Sequence, residues 1–240
     1  MSRQVAIDCF AASVAKYRDT HAIVVVDVFR SSTTAVTAAS RDFTVYPVGS
    51  LEDAFDLARR LPDPLLAGEL GGSMPFGFDL QNSPAEFDRL EGGGRPVVLL
   101  STSGTGLVTE AAGAEAIYVA CLRNLRSQIG AVRRGHERVA VIGAGTRGEF
   151  REEDELCCAW IADGLLSAGF DADARTLDSV ERWRGAAVES IAAGKSADYL
   201  RTSRQELDLQ FVLSHVDDLA AVFSIAPDGH VVTTADGDRA

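Results

Sequence analysis

Residues 23–37 read Ile-Val-Val-Val-Asp-Val-Phe-Arg-Ser-Ser-Thr-Thr-Ala-Val-Thr, and this stretch points both to a fold and to a site. The apolar run Ile23 to Val26 is typical of a strand that is buried on both faces of a sheet. Asp27 and Arg30 follow it, and four hydroxyl side chains, Ser31 to Thr34, then open a helix-like segment. Ligands of α/β proteins bind outside the carboxyl ends of such strands, against helix N-termini. An ordinary strand end with a capping hydroxyl and a surface ion pair would give the same pattern, so both interpretations stay open here.

The same pattern of strand, polar turn and helix recurs twice along the chain. Pro96 to Leu100 precede a turn of hydroxyls and glycines at 101–106, and Arg138 to Ile142 precede a glycine turn at 143–148. In each case a helix-like segment follows the turn. This alternation predicts an α/β fold with a largely parallel sheet.

A weak internal repeat accompanies this alternation. Shifting the chain by 72 residues superposes Val25 and Val26 on Val97 and Val98, and Tyr46 on Tyr118. The match indicates a duplicated unit, although common residues also coincide by chance. A chain of 240 residues can bury a full core. We therefore predict a single α/β domain over 1–240, with two similar subdomains of about 1–95 and 96–240 as a finer division.

The individual elements are predicted from the hydrophobic period and from capping and breaking residues. Residues 68–84 are rich in Gly, Pro and Asn without a period, which is typical of a long loop that serves a site. The predicted strands are 4–10, 22–28, 43–48, 65–67, 96–100, 116–120 and 138–142, with 220–225 and 230–233 as further candidates; the predicted helices are 32–40, 51–61, 107–112, 151–168, 176–193 and 203–222; residues 235–240 are predicted to fray.

Composition and charge argue against several classes of protein. The formal net charge is −12 at pH 7, which disfavours nonspecific binding to nucleic acid or to an anionic membrane surface. No apolar run approaches the roughly 18 residues of a membrane-spanning helix, and Asp8 interrupts the apolar start that a signal peptide needs. The four cysteines have neither disulfide-framework nor zinc-ligand spacing. We expect a cytoplasmic protein with reduced thiols, whose arginines can still bind a small anion.

A glycine motif raises a further hypothesis, a nucleotide-dependent oxidoreductase. Gly143 to Gly148 match G-x-G-x-x-G after a strand and before a helix, the context of a dinucleotide site. The next residues include five carboxylates between Glu149 and Glu155, where the pyrophosphate of a nucleotide would have to sit. Acidic residues also favour a helix N-terminus through the helix dipole, which explains the cluster without any ligand. The dinucleotide hypothesis is therefore the weakest of those considered.

Acidic and hydroxyl side chains follow several of the predicted strands. Oxygen ligands of this kind suit Mg²⁺, which proteins bind through one or two carboxylates plus water and substrate phosphate. Hydroxyls, glycine amides and an arginine suit the phosphate itself. The set comprises Asp27, Arg30, Glu69, Asp79, Asn82, Ser83, Thr102, Thr105, Glu153 and Asp154.

Several of these segments resemble those of one known family. Asp27-Val-Phe-Arg-Ser-Ser-Thr-Thr34 resembles an Asp-x-x-Arg-(Ala/Ser)-(Ser/Thr)-Thr segment, and Gly77-Phe-Asp-Leu-Gln-Asn-Ser-Pro84 resembles a Gly-Phe-Asp-x-x-Asn-Ser-Pro loop. Over roughly residues 22–160 the chain thus resembles the 2-phosphosulfolactate phosphatases, the ComB family. The other matching segments are Ala67-Gly-Glu69, Ser101-Thr-Ser-Gly-Thr105, Asn124, and Gly145-Thr-Arg-Gly148 with Glu153-Asp154.

The resemblance implies a Mg²⁺-dependent phosphatase that converts 2-phospho-3-sulfolactate into 3-sulfolactate and phosphate on the route to coenzyme M. It also implies a three-layer α/β/α fold with a largely parallel or mixed sheet. Leu70 replaces an arginine of the family pattern, and Ser103 leads directly to Gly104 without the family's asparagine. Arginine can bind an oxyanion bidentately and leucine cannot, so the identity of the substrate stays open. Another phosphorylated small acid, or a non-catalytic binder of such an acid, is the alternative.

Residues that match the family's motifs supply the predicted site. The predicted Mg²⁺ ligands are Asp27, Glu69 and Asp154; the predicted catalytic residues are these three and Arg30; the predicted substrate-binding residues are Ser31, Thr33, Asn82, Ser83, Thr102, Thr105, Asn124 and Thr146. Which carboxylate orients the attacking water stays open at this point. So does homo-oligomerisation, because a helix at 151–168 would show the same apolar pattern in a dimer interface or in a core.

Overall fold

The computed structural model describes residues 2–235, in which ten strands form two sheets. The strands are β1 Gln4–Cys9, β2 Ala22–Val26, β3 Thr44–Val48, β4 Leu65–Gly68, β5 Pro96–Leu100, β6 Ile117–Ala120, β7 Arg138–Gly143, β8 Asp171–Ala172, β9 Ala221–Ile225 and β10 Val231–Ala235. The α-helices are α1 Ser31–Ser40, α2 Leu51–Ala58, α3 Pro84–Phe87, α4 Gly104–Glu110, α5 Leu125–Gly135, α6 Glu152–Ser167, α7 Ala174–Trp183, α8 Lys195–Thr202 and α9 Glu206–Ser214. Short 3-10 helices lie at Ala11–Lys16, Leu122–Asn124 and Val188–Ala193.

The larger sheet has seven strands in the order β10-β9-β6-β2-β7-β1-β8. β2 lies at its centre and pairs in parallel with β6 on one side and with β7 on the other. β1 continues the parallel arrangement beyond β7, whereas β9 and β10 form an antiparallel hairpin at the opposite edge. All five residues of β2 are buried, as the apolar run Ile23 to Val26 predicted. The sheet is mixed, and the predicted α/β class is confirmed.

The smaller sheet contains β3, β5 and β4, all parallel, with β5 in the middle. The chain passes from the larger sheet to the smaller one through β2, α1 and β3, and it returns through β5, α4 and β6. β5 follows the predicted subdomain boundary near residue 95, yet it pairs with two strands that precede this boundary. The division into two similar subdomains stays a prediction.

Helices cover both faces of the larger sheet. Successive side chains of a strand point to opposite faces, so β2 divides its residues between two cores. Val24 packs with Leu156 of α6 in one core, to which α5 and α7 also contribute. Ile23 packs with Leu107 of α4 in the core on the other face. The sheet therefore lies between two helical layers, which confirms the three-layer α/β/α fold.

The final third differs most from the elements predicted for it. The predicted helix at 176–193 is α7 followed by a 3-10 helix, and Gly185, with φ 70°, lies in the left-handed region between them. The predicted helix at 203–222 corresponds to α9 alone, which Arg204, with φ 62°, separates from α8. The prediction missed α5, whose sequence is largely polar but carries a few apolar residues at helical spacing, among them Leu125, Ile129 and Val132.

Two further predictions concern membrane-spanning helices and the fraying of residues 235–240. Within residues 2–235, no helix is both long enough and apolar enough to cross a membrane. The predicted fraying concerns mainly residues 236–240, which lie outside the described part of the chain, whereas Ala235 is the last residue of β10.

Candidate active site

A cavity of about 310 Å³ opens where the carboxyl ends of β2, β4, β5 and β7 meet α8. It collects strand ends from both sheets because the chain crosses to the smaller sheet after β2 and returns to the larger sheet after β5. Of the predicted site residues, Asp27, Arg30, Glu69, Asn82, Thr102 and Thr146 line the cavity, and Ser31, Thr33, Ser83, Thr105, Asn124 and Asp154 do not. The remaining lining residues are Phe29, Gly71, Gly72, Ser103, Arg147, Arg151, Lys195, Ser196, Tyr199 and Leu200.

Asp27 lies between the end of β2 and the start of α1. Its backbone N–H donates to Ser32 Oγ at 3.0 Å, which ties the strand end to the first turn of the helix. Burial, together with the nearby carboxylates of Glu69 and Glu153, raises the pKa of Asp27 to about 7. A hydrogen bond from the Ser31 backbone amide opposes this rise only in part. Asp27 is thus a carboxyl group that exchanges its proton near neutral pH, where acid–base catalysis is most effective.

Gly104 allows the first turn of α4 to approach Asp27 closely. A Cβ atom at position 104 would lie 2.2 Å from Asp27 Oδ2 and 2.8 Å from Ser31 Cβ. Any side chain there would displace the carboxylate. The turn after β5 therefore lies directly beside the turn after β2, and both contribute to one cavity.

Glu69 is held in the cavity wall by hydrogen bonds from two loops. Its Oε1 accepts from the Thr102 backbone N–H at 2.7 Å, and its Oε2 accepts from the Gly72 N–H at 2.6 Å and from Thr102 Oγ1 at 2.9 Å. The Gly71 N–H in turn donates to Thr102 Oγ1 at 2.8 Å. These bonds fix the carboxylate and join the loop after β4 to the turn after β5.

Arg30 is buried, and its partner comes from the far end of the chain. Its Nη1 donates to Asp208 Oδ2 at 2.5 Å, and both side chains are almost fully buried. Asp208 Oδ1 also accepts from Ser83 Oγ at 2.6 Å and from the Ala85 N–H at 3.2 Å. Asp208, on α9, therefore positions both Arg30 and the Asn-Ser-Pro loop. No motif in the sequence pointed to it.

Asp154 lies behind the cavity and holds two turns together. Its Oδ1 accepts from the Val28 N–H at 2.8 Å, and its Oδ2 accepts from the Gly145 N–H at 3.2 Å. Burial, with the charges of Asp27 and Glu153 beside it, raises the pKa of Asp154 well above its ordinary value. The Gly145 amide is one that a bound pyrophosphate would use, and here a carboxylate already uses it. This arrangement disfavours the dinucleotide hypothesis.

Asn82 carries the clearest sign of a missing partner. It is 2% exposed and lines the cavity, and its Oδ1 receives no hydrogen bond within residues 2–235. A buried acceptor without a donor costs about 1–3 kcal/mol. Asn82, which lines the cavity together with Asp27 and Glu69, therefore supplies an oxygen that is suited to a ligand.

Other predicted substrate-binding residues bond to nearby backbone instead. Thr33 Oγ1 donates to the Val28 carbonyl at 2.8 Å, and Thr105 Oγ1 accepts from the Ser101 N–H at 2.8 Å. Asn124 closes the turn after β6 by accepting from one backbone N–H and donating to one backbone carbonyl, each at 3.0 Å. These side chains shape the strand ends, and their part in substrate binding stays a prediction.

Part of the cavity wall is basic, and the sequence motifs did not predict it. It consists of Arg147 in the turn after β7, Arg151 just before α6 and Lys195 at the start of α8. Arg147 was visible as the variable position of the Gly-Thr-x-Gly segment, whereas Lys195 belongs to no motif. Only the tertiary structure brings α8 to the cavity, where Tyr199 Oη donates to the Gly72 carbonyl at 2.9 Å.

The oxygen donors of the cavity allow a test of the predicted Mg²⁺ site. Within residues 2–235, no group of three His, Cys, Asp or Glu side chains is arranged to hold a metal ion. Asp154 of the predicted ligand set bonds to backbone amides, whereas Asp27 and Glu69 line the same cavity as Asn82. Two carboxylates and an amide oxygen are donors that suit Mg²⁺, whose remaining ligands are commonly water and phosphate.

Comparison with known proteins gives one consistent result. The family model described as 2-phosphosulpholactate phosphatase matches residues 10–225. A protein of Symbiobacterium thermophilum named probable 2-phosphosulfolactate phosphatase is 39% identical over 158 residues, which are 65% of this chain and 67% of that one. Proteins of the same name from Thermotoga petrophila and Carboxydothermus hydrogenoformans are 36% and 35% identical, over 67% and 58% of this chain and 71% and 58% of their own lengths.

Proposed function

The chain belongs to the 2-phosphosulpholactate phosphatase family, and from this membership together with its cavity we propose that it hydrolyses the phosphate monoester of a small acid. The expected substrate is 2-phospho-3-sulfolactate, after the names of the similar proteins. The observation that carries the proposal is the meeting of Asp27, Glu69 and the unpartnered Asn82 oxygen in one cavity beside Arg30.

Asp27, Glu69 and Asn82 Oδ1 are the groups proposed to hold Mg²⁺. The donors themselves suit a cation. A cation would offset the repulsion between the buried carboxylates of Asp27 and Glu69, and it would give the Asn82 oxygen the partner that it lacks among residues 2–235. When bound, Mg²⁺ would supply positive charge against the oxygens of the phosphoryl group. Asp154 would act from behind, by holding the Val28 and Gly145 turns in place.

The phosphate ester would be held by the side chains around these donors. Arg30 uses Nη1 for Asp208, so other N–H groups of its guanidinium are available to phosphate oxygens. An attacking water forms the new bond to phosphorus while the bond to the ester oxygen breaks, and the water must lose a proton. Asp27 and Glu69 are the carboxylates that line the cavity and can accept that proton.

A phosphate-release assay tests this function directly. Purified protein would be incubated with 2-phospho-3-sulfolactate, with other phosphorylated small acids and with a simple monoester, each with Mg²⁺ or with EDTA. We expect release that requires Mg²⁺ and is lost in the Asp27→Asn variant. Asp19→Asn is the matched control, because Asp19 is 89% exposed and does not line the cavity.

The competing hypothesis is a non-catalytic binder of a phosphorylated acid. It is motivated by Leu70 and by the absence of the asparagine before Gly104. Binding of the phosphorylated acids without release of phosphate from any of them would favour this hypothesis and reject the hydrolase.

A further inference from the structure

The cavity has two chemically different walls. The ends of β2 and β4 supply Asp27 and Glu69, while the turn after β7 and the start of α8 supply Arg147, Arg151 and Lys195. The proposed reaction uses the acidic wall and Arg30, and it assigns no role to the three residues of the basic wall. A basic wall inside a chain of net charge −12 is a local feature that bulk composition does not explain.

Arg147 is the most available cation of this wall. It lines the cavity and forms no hydrogen bond or ion pair with any residue in the range 2–235. Its backbone adopts the left-handed region, with φ 54°, in a tight turn where the Thr146 N–H donates to the Glu149 carbonyl at 2.9 Å. A non-glycine residue in this conformation is uncommon, and here it is an exposed arginine that lines the cavity.

Arg151 and Lys195 both pair with the carboxylate of Glu149. Arg151 Nη1 donates to Glu149 Oε2 at 2.8 Å, and Lys195 Nζ contacts both oxygens of the same carboxylate at 2.7 and 2.8 Å. The Arg151 side chain is only 13% exposed, and its Nε is buried with no hydrogen-bond partner among residues 2–235. Glu149 is 49% exposed, so a dissolved anion can compete with it for the two cations.

We propose that Arg147, Arg151 and Lys195 form a subsite for a second anionic group of the substrate, a carboxylate or a sulfonate, and that Glu149 occupies this subsite until the substrate binds. Two cations already hold one carboxylate there, which shows that the wall can bind such a group. The third, Arg147, has no partner in the described part of the chain and can add charge-assisted hydrogen bonds. The proposal rests on the proposed function, because it takes the phosphate to lie at the acidic wall.

The subsite also bears on the leucine at position 70. Leu70 is exposed and does not line the cavity, so its side chain takes no part in the walls described above. The cavity wall carries its positive charge on Arg147, Arg151 and Lys195 rather than at position 70. A substrate with anionic groups at both ends is therefore compatible with this chain despite Leu70.

The selectivity of the enzyme tests the subsite. For wild type and Arg147→Ala, we would measure kcat/KM for 2-phospho-3-sulfolactate and for a monoester that has no second anionic group. A hydrogen bond between charged groups contributes about 1.5–3 kcal/mol, so the ratio of the two values should fall about tenfold or more. The loss should appear in KM rather than in kcat, because the subsite does not touch the phosphate. Arg126→Ala, at an exposed arginine outside the cavity, should leave the ratio unchanged.

A second variant gives a change of the opposite sign. Glu149→Gln removes the competing charge but keeps the shape, so KM for the substrate with two anionic ends should fall several-fold. A purely structural disturbance of the turn would raise KM in both variants. Calorimetric binding of 3-sulfolactate, which lacks a phosphate, supplies a readout that does not depend on turnover, and Arg147→Ala should weaken it.

The outcomes separate this proposal from the phosphatase itself. An unchanged ratio and unchanged 3-sulfolactate affinity in Arg147→Ala would overturn the subsite and leave the phosphatase intact. Absence of phosphate release by the wild type, together with binding of 3-sulfolactate that depends on Arg147, would reject the hydrolase and support the subsite. A rise in KM in Glu149→Gln would overturn the role of Glu149.

Discussion

Replacing Asp27 with asparagine should abolish turnover and, in the same molecule, stabilise the metal-free fold at alkaline pH. The change keeps the shape of the side chain and removes its charge. Asp27 is buried beside the carboxylates of Glu69 and Glu153, and these causes raise its pKa to about 7. A charge that is this unfavourable in the folded protein is retained for function and opposes stability.

The size and the sign of the effect follow from the pKa of Asp27. Below pH 3.8, the ordinary value, the carboxyl is protonated in both the folded and the unfolded chain and carries no penalty. Between pH 3.8 and about 7 the unfolded chain ionises while the folded protein keeps its proton, so the wild type loses stability as the pH rises. Each pH unit in this window is worth about 1.4 kcal/mol. The full penalty above pH 7 is therefore about 4 kcal/mol.

The measurement is urea unfolding in EDTA at pH 4.5 and at pH 8, for wild type and Asp27→Asn. The free energy of unfolding of the variant minus that of wild type should be about 3 kcal/mol larger at pH 8 than at pH 4.5. Phosphate release with Mg²⁺, assayed on the same preparations, should be lost in the variant. The exposed control Asp19→Asn should stay within about 0.5 kcal/mol of wild type at both pH values and keep its activity.

Two results would refute this reasoning. If Asp27→Asn gained no stability between pH 4.5 and pH 8, the Asp27 carboxyl would not be buried against like charges. If the variant kept the wild-type rate of phosphate release, Asp27 would not lie at the centre of the site.

Two further predictions concern buried groups. Asp208→Asn leaves the Arg30 guanidinium buried without its carboxylate partner, so urea unfolding should show that the variant is about 3–5 kcal/mol less stable than wild type. Ser83→Ala removes only one hydrogen bond to Asp208 and should cost about 1 kcal/mol. Equal losses in the two variants would contradict the importance given to the ion pair. Burial raises the pKa of Cys9 to about 12 and that of Cys121 to about 11, and all four cysteines are buried, so Ellman's reagent at pH 8 should detect no fast thiol in the native protein and four after denaturation; a fast native thiol would contradict this.

The sequence by itself determined the class of fold and one wall of the site. A fully apolar run such as Ile23 to Val26 buries the side chains on both of its faces only when helices cover both faces of the sheet. Polar residues at the end of such a strand mark the edge of the sheet where ligands bind. The motifs around Asp27, Glu69 and Asn82 were readable because each lies within a few residues of a strand end or in the long loop. Local pattern is sufficient where neighbours in sequence are also neighbours in the site.

The tertiary structure alone decided which of these residues share a cavity and what faces them. Asp27 and Asp154 both belong to motifs that predicted a Mg²⁺ ligand. In the structure Asp27 lines the cavity, whereas Asp154 lies behind it and accepts hydrogen bonds from two backbone amides. Asp208 and Lys195 come from the last third of the chain, where left-handed residues break the helices and no motif marks a function. Asp208 contacts residues more than a hundred positions away in the sequence, and Lys195 contacts Glu149, 46 positions away. Such contacts arise from the packing of helices on the sheet, which no local pattern encodes.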